Sequence, residues 1–176
     1  MSKRLALGID TPAVARRAPV EAVVALGANL GDRAATMSAA LDALRRLPLV
    51  SAVRASEPIE SVAVTLAGPD GDAPRYLNAV AIVHTTIAPS LLLRHLHAIE
   101  ERHGRERRER WGDRTLDLDL VQYGDIVSAD ERLLLPHPRA AERDFVLMPW
   151  LSIDPDAVLV GHGRVAALLA DLQSRA

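Results

Sequence analysis

Residues 104–120 read Gly104-Arg105-Glu106-Arg107-Arg108-Glu109-Arg110-Trp111-Gly112-Asp113-Arg114-Thr115-Leu116-Asp117-Leu118-Asp119-Leu120. The first half crowds Arg105, Arg107, Arg108, Arg110 and Arg114 around a Trp-Gly turn signal. From Thr115 to Val121 polar and apolar residues alternate, the period-two signature of a half-buried strand. Residues two apart in a strand share a face, so Asp117 and Asp119 project side by side. Neighbouring carboxylates repel and are poor strand formers. A hard divalent cation offsets that cost, and Mg2+ commonly binds through one or two carboxylates plus substrate phosphates. The arginine forks upstream suit phosphate oxygens. A plainer reading stands beside this one. Glu100, Glu101, Glu106 and Glu109 interleave with the arginines as in a solvated helix end. The aspartates would then be the wet side of an edge strand. The spacing alone leaves both readings open.

Working outward, the rest of the chain supplies partners for this strand. Residues 20–26 are a short apolar run ending at Gly27, consistent with a buried central strand. Gly27-Ala28-Asn29-Leu30-Gly31-Asp32 is a turn, and Asp32 is placed to cap the helix after it. Met37, Leu41, Leu44 and Leu47 recur at helical spacing until Pro48. Residues 50–57 read as a second strand. Residues 58–75 lose periodicity and collect Gly68, Pro69, Gly71 and Pro74, a long loop of the kind that is functional or mobile. Residues 76–86 form a third strand, with Leu77, Ala79, Ala81 and Val83 on one face and Asn78 on the other. Pro89 opens a second helix with Leu92, Leu96 and Ile99 as its apolar stripe. His95, His97 and His103, spaced by two and six, do not share a helical face and make no metal site. Beyond the aspartate strand, 124–132 read as a hairpin connection and 133–135 as the returning strand, ended by Pro136-His137-Pro138. Residues 145–150 are apolar, and 165–172 form a last short helix. The order strand-helix-strand-strand-helix-strand predicts an α+β fold: a ferredoxin-like βαββαβ core with an added C-terminal hairpin and short helices.

Composition narrows the function classes. The chain of 176 residues suits one domain over residues 20–176, preceded by a flexible leader over 1–19. Hydrophobic residues are 49% but aromatics only 3%, so the core is aliphatic and Trp111, Trp150, Tyr76, Tyr123 and Phe145 stand out as ring-binding candidates. A net charge of −2 gives no global argument for nucleic acid. Without cysteine there is neither disulfide nor thiolate–metal site. No apolar run has the length of a membrane span, and the leader lacks a signal-peptide pattern. A cytoplasmic monomer is the expectation.

Four ordered blocks carry a resemblance. They are Gly27-Ala28-Asn29-Leu30-Gly31-Asp32, Tyr76-Leu77-Asn78-Ala79-Val80, the segment Arg110-Trp111-Gly112-x-Arg114-Thr115-Leu116-Asp117-Leu118-Asp119, and Leu135-Pro136-His137-Pro138 followed by Arg143-Asp144-Phe145-Val146-Leu147. Over residues 23–155 the chain resembles the 6-hydroxymethyl-7,8-dihydropterin pyrophosphokinase family. The resemblance implies the same α+β fold and transfer of pyrophosphate from ATP to a reduced pterin, releasing AMP. It implies Mg2+, two ions with ATP as co-substrate, held by Asp117 and Asp119. Arg105, Arg107 and Arg114 match catalytic positions. Glu100, Arg107, Trp111, Leu120, Arg132, His137 and Arg143 match the nucleotide side. Ser56, Pro58, Ile59, Tyr76, Asn78, Trp111 and Phe145 match the pterin side. Two departures stand out: Asp113 where the family usually has proline, and a longer loop after Ser56-Glu57-Pro58. A non-catalytic polyanion-binding module and an inactive paralogue are the competing readings.

Overall fold

The computed structural model describes residues 18–61, 63–65, 68–70, 75–103 and 115–175. Its elements run β1 (Val20–Ala28), α1 (Arg33–Arg45), β2 (Val50–Ala55), β3 (Ile59–Ser61), β4 (Ala63–Thr65), β5 (Gly68–Asp70), β6 (Tyr76–Thr85), α2 (Pro89–Arg102) and β7 (Asp117–Tyr123). They continue with β8 (Ser128–Asp130), β9 (Leu133–Leu135), α3 (Asp144–Ile153), β10 (Val158–Leu159), β11 (Gly163–Arg164) and α4 (Val165–Arg175). The main sheet is antiparallel with order β2-β6-β1-β7, and β3 pairs with β6 beyond the end of β2. That is the ferredoxin-like strand order, so the expected α+β core is present.

Alternation along the strands sorts the core into two layers. Ala22, Val24, Leu26 and Ala28 of β1, Ala79, Ala81 and Val83 of β6, and Leu118 and Leu120 of β7 are buried on one face. There they meet Met37, Ala40 and Leu44 of α1 and Leu92, Leu96 and Ile99 of α2. Both helices start where local chemistry predicts. Asp32 caps α1 by accepting the Ala35 N–H at 2.9 Å, and Pro89 sits in the first turn of α2. On the opposite face Val23, Val80 and Ile82 pack against Val146, Leu147 and Trp150 of α3 and Val165 of α4.

One irregularity sets the phase of β7. Leu120 pairs with Val24 and Gln122 with Val23, so Val121 is an extra residue on its strand, a β-bulge. Leu118, Leu120 and Tyr123 therefore all reach the α1/α2 layer, while Val121 packs in the other.

Three expectations need correction. The second strand stops at Ala55, because Ser56 spends its hydroxyl on the Val80 N–H, at 3.1 Å, and Glu57-Pro58 then bulges outward. The loop expected over 58–75 contains β3, which returns to β6, and a small β4–β5 hairpin. Residues 133–135 do not rejoin the main sheet: β9 pairs with β8, which lies inside the segment expected to be a plain connection. The leader falls outside the described residues through residue 17.

Candidate active site

The alternation that fills the α3/α4 layer does not stay apolar along the whole sheet. Beyond Val80 on β6, the same face carries Asn78 and then Tyr76. Beyond Ala25 on β1 it carries Gly27, and the β7 partners of Ala25 and Gly27 are Asp119 and Asp117. Asn78 is opposite Gly27 on one side and opposite Ile59 on the other. Ile59, Asn78, Gly27 and Asp117 thus form one row across four strands. Gly27 keeps the middle of the row low: a Cβ there would lie 3.3 Å from Asn78 Oδ1 and 4.0 Å from Tyr76 Cδ1.

At the β3 end, Asn78 is almost fully buried and its Nδ2 donates to Ser61 Oγ at 2.8 Å. That bond fixes the amide orientation, leaving Oδ1 beside the Gly27 floor. Tyr76 stands one register position beyond, opposite Ser61. α3 packs on β6 and β3, and Phe145 in its first turn is half-buried against the same layer. The guanidinium carbon of Arg143 lies 5.7 Å from the Phe145 ring centroid. Ser56 is buried with its hydroxyl bound to the sheet, and Pro58 is exposed.

At the carboxylate end, Asp119 has collected positive charge. Arg143, at the start of α3, donates from Nη1 to Asp119 Oδ2 at 2.9 Å, and His137 Nε2 lies 3.8 Å from the same oxygen. His137 is held by its backbone N–H, which donates to the bulge carbonyl of Val121 at 2.8 Å. Its Nδ1 accepts the Arg139 N–H at 3.1 Å, which places the proton of the neutral ring on Nε2. Burial pushes the His137 pKa below the ordinary imidazole value, and Arg143 and Arg139 push the same way against the pull of Asp119 and Asp117. Glu100 of α2 is buried and accepts the Leu118 N–H at 2.8 Å through Oε1. It grips the edge of β7 between the two aspartates. Behind Asp119 opens a cleft of ≈ 200 Å³, lined by Leu93, Leu120, Arg132, Leu133, His137 and Pro138 among others. Leu120, Arg132 and His137 come together there.

Arg105, Arg107, Trp111 and Arg114, with Asp113, lie outside the described residues. The sequence reading missed Ser61 and the floor role of Gly27. Gly27 was visible only as a turn glycine, and Ser61 lay in a segment without periodicity.

No group of three or more His, Cys, Asp or Glu among the described residues is arranged to hold a metal by protein ligands alone. Two carboxylates on one strand face, one of them already drawing in a cation, fit an ion that takes its remaining oxygens from phosphate.

The model of the family described as 7,8-dihydro-6-hydroxymethylpterin-pyrophosphokinase (HPPK) matches residues 23–155. The chain belongs to this family. Among curated HPPK relatives, the 2-amino-4-hydroxy-6-hydroxymethyldihydropteridine pyrophosphokinase of Haemophilus influenzae is 41% identical over 150 residues, covering 85% of this chain and 91% of that one. The protein of the same description from Pseudomonas aeruginosa is 41% identical over 152 residues, covering 84% and 88%. In fold, the chain is similar to a Plasmodium falciparum HPPK-DHPS structure with a TM-score of 0.70 at 13% identity. That likeness covers 92% of this chain and 46% of the Plasmodium one, so this chain spans less than half of that longer protein. Membership in the HPPK family makes the chain an ATP-dependent pyrophosphokinase.

Proposed function

We infer that the row of side chains at the open end of β1, β6 and β7 carries out the family's reaction in this chain. The enzyme transfers pyrophosphate from ATP to the hydroxymethyl group of 6-hydroxymethyl-7,8-dihydropterin, releasing AMP, in folate biosynthesis. The observation that supports this assignment of residues is the pairing of Asn78 and Asp117 on either side of Gly27. It brings a ring-edge reader and a metal-type carboxylate onto one floor.

On the pterin side, Asn78 offers a donor–acceptor pair to the ring edge, Phe145 a ring face, and Tyr76 and Ile59 the walls. Ser56 acts by ending β2 at the right place, and Pro58 borders the site from solvent. On the nucleotide side, the cleft beside Leu120, Arg132 and His137 accepts the base and sugar. Arg143, bound to Asp119 without substrate, turns part of its fork to phosphate oxygens when ATP enters. Asp117 and Asp119 would hold Mg2+, two ions with ATP, which supplies neutralisation of triphosphate charge and polarises the oxygens it touches. Arg105, Arg107 and Arg114 stabilise charge spreading over the transferred group, and Trp111 covers the substrates, by their match to family positions. One chain carries both sides, so a monomer suffices. No helix among the described residues is long and apolar enough to cross a membrane.

AMP release by the full chain with ATP, Mg2+ and 6-hydroxymethyl-7,8-dihydropterin tests the reading. Release at a rate far above the blank is expected. No release from folded protein that still binds ATP would overturn it and favour an inactive paralogue.

A further inference from the structure

Arg33 is the first residue of α1, a helix with no acidic residue in its first turn. A cation at a helix N-terminus opposes the helix dipole, so its side chain needs another reason to be there. Its Nη1 donates to the Arg75 carbonyl at 2.6 Å, and its Nη2 donates to Glu60 Oε1 at 3.0 Å. Arg75 Nη1 lies 3.8 Å from the other Glu60 oxygen. These contacts join residues 42 and 27 positions apart.

The two residues gripped are the two stems of one excursion. Glu60 is the middle residue of β3, and Arg75 immediately precedes β6. Between them, Ser61 pairs with Tyr76 and takes the Asn78 Nδ2 hydrogen bond. β3 is three residues long and, among the described residues, pairs with β6 alone. So short an edge strand is weakly held by its own ladder.

We propose that Arg33 is a positioning residue for the pterin. Its planar fork holds β3 against β6, which keeps Ser61 under the Asn78 amide and the Asn78 carbonyl turned to the Gly27 floor. A donor–acceptor reader of a flat heterocycle works only when its amide is not free to flip. The proposal rests on the pterin-side assignment above, and Arg33 acts through its bonds to Arg75 and Glu60.

The test is steady-state kinetics of the full chain with each substrate varied in turn. Arg33→Ala is expected to raise KM for the pterin roughly three- to tenfold, the scale of a partly exposed ion pair with one added charge-assisted bond. The KM for ATP and kcat should stay within about twofold by the same reasoning. Glu60→Ala should act in the same direction, and the double variant should be no worse than the worse single one. Arg33→Lys, with its charge but no fork, should fall between wild type and Arg33→Ala. An unchanged pterin KM overturns the proposal, and so does an equal rise in both KM values with a lower Tm. The side-chain amide protons of Asn78 give a readout independent of turnover. Faster exchange in Arg33→Ala supports the clamp, and identical exchange overturns it. Absence of turnover in the wild type would strike the functional reading alone.

Discussion

The two faces of the central sheet are built from the same strands, yet they end differently. The face under α1 and α2 is apolar from Ala22 to Ala28 along β1 and from Val83 to Ala79 along β6, with Leu118 continuing it on β7. The face under α3 and α4 is apolar over Val23, Ala25, Val80, Ile82 and Val121, then changes to Asn78, Gly27, Asp117 and Asp119. Alternation lets one residue serve stability and its neighbour serve chemistry. Leu118, buried between two aspartates, is the sharpest case. One face keeps the strands in register, and the other is free to carry groups that would be poor choices for a core.

The strongest way to break this contrast is on the polar half. Asp119→Ala should lower turnover by about 10²- to 10³-fold, the scale for losing a preorganised electrostatic group. Its urea midpoint should stay near wild type, because the side chain is partly exposed and outside both cores. Near-normal AMP release in this variant would remove Asp119 from the chemistry. Leu44→Ala probes the other face. It truncates a fully buried α1 side chain and should cost about 2–5 kcal/mol by urea unfolding, with kcat of the folded protein unchanged. A large kcat loss without destabilisation would mean the faces are not separable. Gly27→Ala tests the floor between Asn78 and Asp117. A new Cβ 3.3 Å from Asn78 Oδ1 should weaken pterin binding about threefold to tenfold, roughly 1 kcal/mol, as a mild overpacking. Unaltered pterin affinity would move the ring elsewhere.

The smallest effect concerns His137. Burial lowers its pKa from 6.5, so the folded protein binds that proton less readily than the unfolded chain does. The associated stability is complete above the unfolded value and is lost as pH falls from 6.5 through the folded pKa. NMR titration of the metal-free protein should place the imidazole below 6.5, and His137→Phe should remove that part of the pH slope. A titration above 6.5 would show that attraction to Asp119 outweighs burial.

What could be read from the sequence follows the same division. The strands and helices of the α1/α2 face were legible because Leu77, Ala79, Ala81 and Val83, or Leu92, Leu96 and Ile99, keep one period throughout. Asp117 and Asp119 were legible by interrupting an otherwise regular strand. The return of β3 to β6 was not, since three residues are too few to show a period, and its hold on the sheet includes Arg33, far away in sequence. The β8–β9 hairpin was hidden because Leu133, Leu134 and Leu135 suit any strand partner. Glu100 was legible as a charge among charges and as a match to the nucleotide side, and only packing shows it gripping the Leu118 N–H.

The extra residue in β7 acts like a frameshift within one strand. Upstream of Val121, odd-numbered positions face the α3/α4 side; downstream, Tyr123 has crossed into the α1/α2 core, with its hydroxyl donating to the Ile87 carbonyl at 2.6 Å. Gln122 has crossed the other way, donating to the Val158 carbonyl at 3.3 Å and accepting the Val160 N–H at 2.8 Å. Deleting Val121 would leave Leu120, Gln122 and Tyr123 with their β1 partners, but it would take an apolar side chain out of the α3/α4 layer and remove the carbonyl that anchors His137. Substitutions can alter either half of β7 separately, but a one-residue change in its length would disturb the core and the site together.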